Sequence, residues 1–441
     1  MEGSPIELAK KVREYAMKHN AWFKDSLPMI ASENVMSPLA MEMLLTDFGH
    51  RYAEGHPGKR YYQGCKIYDE VEIIAIEAMK KLFNANYVDV RPVSGTAANL
   101  AAIRAMVKPG MKVASAEVPA GAHISHQEFG SVGVRGAEVI HYPFDNHELI
   151  PDVDGVNKLI EKEKPALIIF GYSLFLFPIP LKEIAPTAEA NGTRILYDAA
   201  HVLGLIAGKK FQDPLREGAT VMTGSTHKTF PGPQKGVVIA NIDESDEAQK
   251  KLKRKLDSAV FPGVTSNHHL HHVAALAITA LEMLEFGEEY AAQIVKNAKA
   301  LGQYMTEEGF KVLGEHKGFT ESHQIAVDVR ELGGGAKAAQ MLEDANIIVN
   351  ANLLPGDRLE QSMNPSGIRI GVQELTRIGM KEKDMQVVAE LFKRVLIDKE
   401  DPRKVAEDVK EFKAQFREVH YCFKVKEFRP YEYIKLVELQ E

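Results

Sequence analysis

The stretch ALIIFGYSLFLFPIPLKEIAPTAEANGTRILYDAA, residues 166–200, decides the fold. A short apolar run, ALIIFGYS, gives way to a helical pattern, LKEIAPTAEA, and then to a second apolar run, RILYDAA. That order predicts two parallel strands with a helix crossing between them. Upstream, the same alternation appears at VDVRPV then TAANLAAIRAMV, at KVASAEV then the histidine-containing segment 121–130, and at EVIHYP then DVDGVNKLIEKE. ATVMTGS and GVVIAN close the series downstream. The apolar runs predict an α/β fold with a mostly parallel sheet covered by helices on both faces. Ligands of such sheets lie at the carboxyl ends of the strands, so the residues just after each run are the ones to inspect.

The rest of the chain bounds the function. At 441 residues the chain exceeds one ordinary core, and two or three structural units are expected. With 45% hydrophobic and 26% charged residues, the composition is that of a soluble globular protein. A formal charge of −7 argues against a dedicated nucleic-acid binder, which needs positive charge to neutralise phosphates. Two cysteines cannot make a disulfide framework or a cysteine-based zinc site, and a reducing compartment fits. The opening MEGSPIELAKKVREY is charged and amphipathic, and reads as a helix and not as a signal peptide. The apolar run 166–181 is shorter than the roughly 20 residues of a membrane span and is broken by two prolines, so cytoplasm is the expected location. Beyond about residue 275 a long helical stretch, a mixed region over 310–372 and further helices predict a smaller α+β unit. The tail VHYCFKVKEFRPYEYIKL (419–436) is aromatic and basic and carries no motif.

Three strand ends carry chemistry. VRPVSGTAAN (90–99) sets Ser94, Gly95 and Thr96 where a helix begins, offering free N–H groups and a favourable dipole to an anion such as phosphate, although Ser and Thr at that place are most often plain N-caps. RILYDAAHVLGL ends in Asp198, with His201 close behind. An acid straight after a buried strand needs a partner, and a cationic ring nitrogen on a ligand is one; an acid capping the next turn is the plainer alternative. GSTHKTFPGPQKG (224–236) sets Lys228 after short hydroxyl residues. A solvated lysine is inert, whereas a desolvated one has a lowered pKa and can attack an aldehyde. An anion cradle, an acid for a pyridinium and an amine for a Schiff base are the three handles that hold pyridoxal phosphate.

The chain resembles serine hydroxymethyltransferase over roughly residues 25–395, through IASENVMSP (30–38), YAEGHPGKRYYQG (52–64), SGTAAN (94–99), YDAAHVLGL (197–205), GSTHKT (224–229), AVFPG (259–263) and SGIRIG (366–371). The resemblance implies the pyridoxal-phosphate fold of the aspartate-aminotransferase type, fold type I, with a seven-stranded sheet. It further implies an N-terminal helix and dimer-clasping segment (1–60), a large cofactor domain (61–275) and a small α+β domain (276–441). Lys228 would hold the cofactor, Asp198 would pair with its ring nitrogen, and His123 would stack on the ring. His201 would lie beside the ring face or its hydroxyl and Ser173 near the ring hydroxyl, while Ser94, Gly95, Thr96 and Ser225 would take the phosphate with Gly263 of a second subunit. Arg369 and Ser32 would bind the substrate carboxylate. Tyr52, Glu54 and Tyr62 would reach across a homodimer interface, Tyr52 to the cofactor and Glu54 and Tyr62 to the substrate, with Lys228, Glu54, His123, Tyr62 and Thr226 in catalytic roles. Val118, Ile124, Asn350 and Asn352 would face a reduced pterin that accepts the one-carbon unit of L-serine and leaves glycine.

Departures from the commoner family pattern also stand out. Gln234 replaces an arginine in Gly-Pro-Arg, Val264 replaces a second glycine, and GSTHK replaces a run of threonines. These resemble the archaeal branch, which leaves the carrier open between tetrahydrofolate and a methanopterin. Two other readings compete. A threonine or allo-threonine aldolase shares the Schiff base and needs no pterin. NHHLHH (267–272) suggests a metal-binding module, but no HExxH pattern completes it and no metal is expected.

Overall fold

The computed structural model describes residues 3–426 and 428–438, so the outermost residues of the first and last expected units lie outside the described residues. The seven apolar runs all form strands of one sheet: β1 (Tyr87–Asp89), β2 (Lys112–Ser115), β3 (Glu138–His141), β4 (Leu167–Phe170), β5 (Arg194–Asp198), β6 (Val221–Ser225) and β7 (Gly236–Ala240). Their order is β1-β7-β6-β5-β4-β2-β3, and only β7 runs antiparallel to its neighbours. β4, β6 and β7 are buried along their whole length, which is why they read as continuous apolar runs and not as alternating ones.

Helices cover this sheet, among them α2 (Lys66–Phe83) and α3 (Gly95–Met106), with α4 (Leu270–Glu307) behind α2. α1 (Pro5–Lys24) buries no residue and bonds to Asn346 and the tail at Tyr431 O. α4 is 38 residues long and packs on α2 at one end and on α6, named below, at the other. The expected boundary between residues 275 and 276 therefore falls inside an uninterrupted helix. Segment 121–130, expected to be helical, is not. Gly121 has a φ of +99°, and His123 accepts the Ser125 N–H through its own ring, which leaves only a single turn over Ile124–His126 before a short helix at Ser131–Val134.

A second, antiparallel sheet holds β8 (Lys311–Val312), β9 (Gln324–Asp328), β10 (Asn350–Asn352) and β11 (Gly367–Gly371) in the order β8-β9-β11-β10. The short helix α5 (Gln373–Arg377) follows β11, and α6 (Glu382–Leu396) and α7 (Pro402–Lys413) pack behind. The N-terminal arm joins this unit, because Leu27–Pro28 pairs in parallel with Ile347–Ile348 and the Gly371 N–H donates to Met29 O at 2.8 Å. The aromatic tail turns back over the same region: His420 N–H donates to Arg377 O at 2.7 Å and Tyr431 OH to Glu374 Oε1 at 2.6 Å. No helix of the described residues is long and apolar enough to cross a membrane.

Candidate active site

A cavity of about 250 Å³ opens at the carboxyl ends of β5 and β6, against the start of α3. Ser94, Gly95 and Thr96 form one wall. Ser94 is indeed an N-cap, its Oγ accepting the Ala97 N–H at 3.1 Å. The cap nevertheless leaves the first-turn N–H groups of Gly95 and Thr96 with no carbonyl one turn back, at the positive end of the helix. A Cβ at Gly95 would lie 2.2 Å from Ser225 Oγ, which shares the wall, and would have to push that hydroxyl aside.

Asp198 lines the same cavity. Its Oδ2 accepts from Asn99 Nδ2 at 2.7 Å and from His126 Nε2 at 2.9 Å, and its Oδ1 from the Ala200 N–H at 2.9 Å. Burial pushes the carboxyl pKa up, but the hydrogen bonds from His126 and Asn99 outweigh it, and the group stays well below the usual carboxylate range. The strand-end glycine Gly171 makes this approach possible, since a Cβ there would sit 2.3 Å from Asp198 O. His123 also lines the cavity, and burial brings its imidazole down to about 4. Its Nδ1 accepts the Ser125 N–H at 3.1 Å, so a neutral ring presents Nε2–H.

Lys228 is 8% exposed and lines the same cavity. Burial lowers its ammonium to about 8; Asp198 opposes that shift and Arg369 adds to it. The loop after it is held from below. Thr226 Oγ1 donates to Pro233 O at 2.6 Å, so the Thr226 hydroxyl closes the loop and is absent from the cavity wall. Gln234 does reach the wall, while the next residue, Lys235, turns inward and donates to His268 O at 2.8 Å. His272 Nδ1 donates to Gln234 O at 3.1 Å, and His268 Nε2 is engaged by Glu72 Oε2 at 2.9 Å, so these two histidines brace the loop and the sheet.

Arg369, on β11, is 7% exposed and has no carboxylate beside it among the described residues. Its Nη1 donates to Ser173 O at 2.6 Å and its Nε to Asn350 Oδ1 at 3.1 Å, and burial alone lowers its pKa to about 10. Ser173 thus enters the site through its main-chain carbonyl, and Asn350 through its grip on Arg369. His201 is buried with its imidazole well below the usual range, its Nδ1 2.8 Å from Gln324 Nε2, and its ring stacked on His323 at 5.5 Å. Ser32 follows Ala31, whose carbonyl accepts from His323 Nε2 at 3.1 Å.

Other expected residues gather elsewhere in the chain. Tyr52 and Tyr62 are exposed with ring centroids 5.2 Å apart, and Glu54 Oε1 accepts from Ser266 Oγ at 2.5 Å. Gly263 lies outside the cavity wall as well, packed where a Cβ would be 2.1 Å from Ala259 O. Val118 and Ile124 flank the His123 turn, Ile124 58% exposed, and the Asn352 amide bonds to Leu353 O at 2.6 Å. Sequence reading missed Asn99, His126, His323 and Gln324. His126 had a visible signal in the paired histidines of AHISH, whereas Asn99 and Gln324 had none, since only the fold brings them to Asp198 and His201.

The residues present fit pyridoxal phosphate. The helix start faces an anion, Asp198 is held ionised for a ring nitrogen, Lys228 offers a desolvated amine, and the buried His227 Nδ1 on the same wall lacks a partner. Comparison with known proteins points the same way. The family model for serine hydroxymethyltransferase matches residues 7–392. A protein of that name from Thermococcus kodakarensis is 54% identical over 420 residues, covering 95% of this chain and 96% of its own. One from Methanocaldococcus jannaschii is 53% identical over 421 residues, covering 95% and 96%. Among solved structures, L-threonine transaldolase from Pseudomonas fluorescens in its internal aldimine state superposes with a TM-score of 0.86 at 30% identity, over 95% of this chain and 94% of that one. With a mostly parallel seven-stranded sheet, a built cofactor cavity and this match along most of its length, the chain belongs to the serine hydroxymethyltransferase family of pyridoxal-phosphate-dependent enzymes.

Proposed function

We propose that this chain transfers the hydroxymethyl group of L-serine reversibly to a reduced pterin, leaving glycine, with pyridoxal phosphate held by Lys228. The observation that carries the substrate half is Arg369: a buried guanidinium with no carboxylate partner among the described residues, near enough to Lys228 for its charge to lower the lysine's pKa, suits an α-carboxylate. When bound, the cofactor supplies an electron sink for breaking the Cα–Cβ bond of serine. Gly95, Thr96 and Ser225 would hold its phosphate, Asp198 would keep its ring nitrogen protonated, and neutral His123 would cover its face. Gln234 would meet the phosphate as a neutral donor, so the helix start supplies most of the positive field on that side.

Arg369 and Ser32 orient the amino acid by its carboxylate, and His201, fixed by Gln324, donates toward the ring side of the cavity. Glu54 moves the proton at the serine hydroxyl, and it comes from a second copy together with Tyr52, Tyr62 and Gly263. Within one chain Tyr52 and Tyr62 pair at the surface and Tyr52 and Glu54 meet at Ser266, outside the cavity lining, which supports two sites built across a homodimer. Mixing inactive Lys228→Ala with inactive Glu54→Gln protein, after subunit exchange, is expected to restore about a quarter of the activity, since half the dimers are mixed and each carries one intact site. No recovery in exchanged dimers would place Glu54 in its own chain's site.

The pterin is tested by serine turnover with tetrahydrofolate, with a tetrahydromethanopterin, and with no carrier. One carrier is expected to raise formation of glycine from serine by at least about 10²-fold. Equal rates in all three arms, with cleavage of threonine or allo-threonine intact, would favour an aldolase.

A further inference from the structure

We propose that Asn34 is a positioning residue for the reaction, clamping the main chain of Lys228 to the arm that carries Ser32 and to the strand end that carries Arg369. The inference rests on the assignment of Lys228 and Arg369 above. Asn34 Nδ2 donates twice, to Lys228 O at 2.6 Å and to Tyr290 OH at 2.9 Å, while its Oδ1 accepts the Val35 N–H at 2.9 Å. The amide's two donors and its acceptor are thus all engaged, a set that aspartate, serine or leucine cannot reproduce.

From Tyr290 the connection continues. Its hydroxyl donates to Gln373 O at 2.8 Å, and the Gln373 side chain donates back to Ile30 O at 2.8 Å and Glu33 O at 2.7 Å. Gln373 opens α5, directly after the β11 strand of Arg369. The donor directions are consistent around the loop: Asn34 to Tyr290, Tyr290 to Gln373, Gln373 to the arm on either side of Ser32. The Tyr290 ring is fully buried between the Arg377 guanidinium, 5.5 Å from its centroid, and the Tyr421 ring at 5.2 Å. The aromatic tail therefore packs on the residue that links Asn34 to α5, which gives that motif-free segment a place in holding the site.

The chemical consequence is registration. The amine of Lys228 comes from the large sheet and the carboxylate-binding Arg369 from the small one, so a substrate gripped at both ends reacts only if the two stay in one relation. Arg369 and Gln324 already bond across to Ser173 O and His201, and Asn34 adds the tie that reaches the main chain of Lys228 itself. Its loss leaves Lys228 in the cavity and Arg369 on its strand but removes the side-chain clamp on the lysine's own carbonyl, so the amine's position relative to Arg369 is less tightly fixed.

The test uses Asn34→Ala in the cofactor-loaded protein. The expected result is a fall in kcat of about 10–100-fold with serine KM changed less than about 3-fold. The pH midpoint of the lysine-bound cofactor's absorbance is expected to move, which a purely structural role would not cause. Leu301→Ala, a core change on α4, serves as the stability control: its melting temperature falls while kcat and midpoint hold. Tyr290→Phe keeps the ring and removes only the hydroxyl, so a smaller change in the same direction is expected and remains measurable if Asn34→Ala folds poorly. If kcat and the midpoint are unchanged in both Asn34→Ala and Tyr290→Phe, the inference is overturned. The function assignment stands or falls separately, because Lys228→Ala must lose the absorbance whatever Asn34 does.

Discussion

Lys228→Ala is expected to abolish the visible absorbance of cofactor-loaded protein and to lower serine turnover by more than about 10³-fold. The argument starts from desolvation. An amine buried at the end of β6 with no carboxylate in contact is hard to keep charged, and its pKa falls to about 8 from 10.5. Because the folded value lies below the unfolded one, the unfolded chain holds the extra proton between those limits. Charging the buried amine therefore costs stability below about 8, and that cost is relieved as pH rises through about 8 toward 10.5. Loading of stripped protein should accelerate with the same midpoint, since the neutral amine is the nucleophile. Alanine removes the nucleophile and leaves the anion cradle, so weak noncovalent loading persists without the absorbance. Normal turnover by the alanine variant would overturn the assignment of the cofactor's amine.

How much of this was legible in the sequence depends on how far each contact reaches along the chain. The sheet was readable because buried parallel strands are unbroken apolar runs, and all seven runs became strands. Asp198, Lys228 and the Ser94–Thr96 turn were readable because strand ends are where chemistry sits in such folds. The 121–130 segment misled because its spacing looks helical while a positive-φ glycine and a self-capping histidine break the backbone. The partners of Asp198 and His201 were invisible. Asn99 sits on an ordinary helix and meets Asp198 across 99 residues of chain, and Gln324 meets His201 across 123. Asn34 stood inside a quoted motif, yet its task depends on a carbonyl 194 residues away.

Arg369→Met is expected to separate binding from stability more sharply than any other single change. In the unliganded protein the guanidinium is buried, gives one hydrogen bond to a carbonyl and one to an amide, and has no anion to offset its desolvation. Its pKa of about 10 expresses that penalty, since burial disfavours the charged form. A methionine of similar length removes the charge and keeps most of the volume, while Ser173 O retains its hydrogen bond from Gln324 Nε2 at 3.0 Å. The melting temperature of the substrate-free protein should therefore stay level or rise. Serine meets the opposite fate: its carboxylate enters a buried site with no cation, a loss of about 3–5 kcal/mol, or roughly 10²- to 4 × 10³-fold in kcat/KM. The change should fall mainly on KM, because the carboxylate is held alike before and during bond breaking. Absorbance of the lysine-bound cofactor should be retained, as Arg369 is not among its anchors. Paired thermal melts and serine kinetics decide the matter: a variant that loses stability while keeping serine affinity would show Arg369 to be a structural cation, with the carboxylate bound elsewhere.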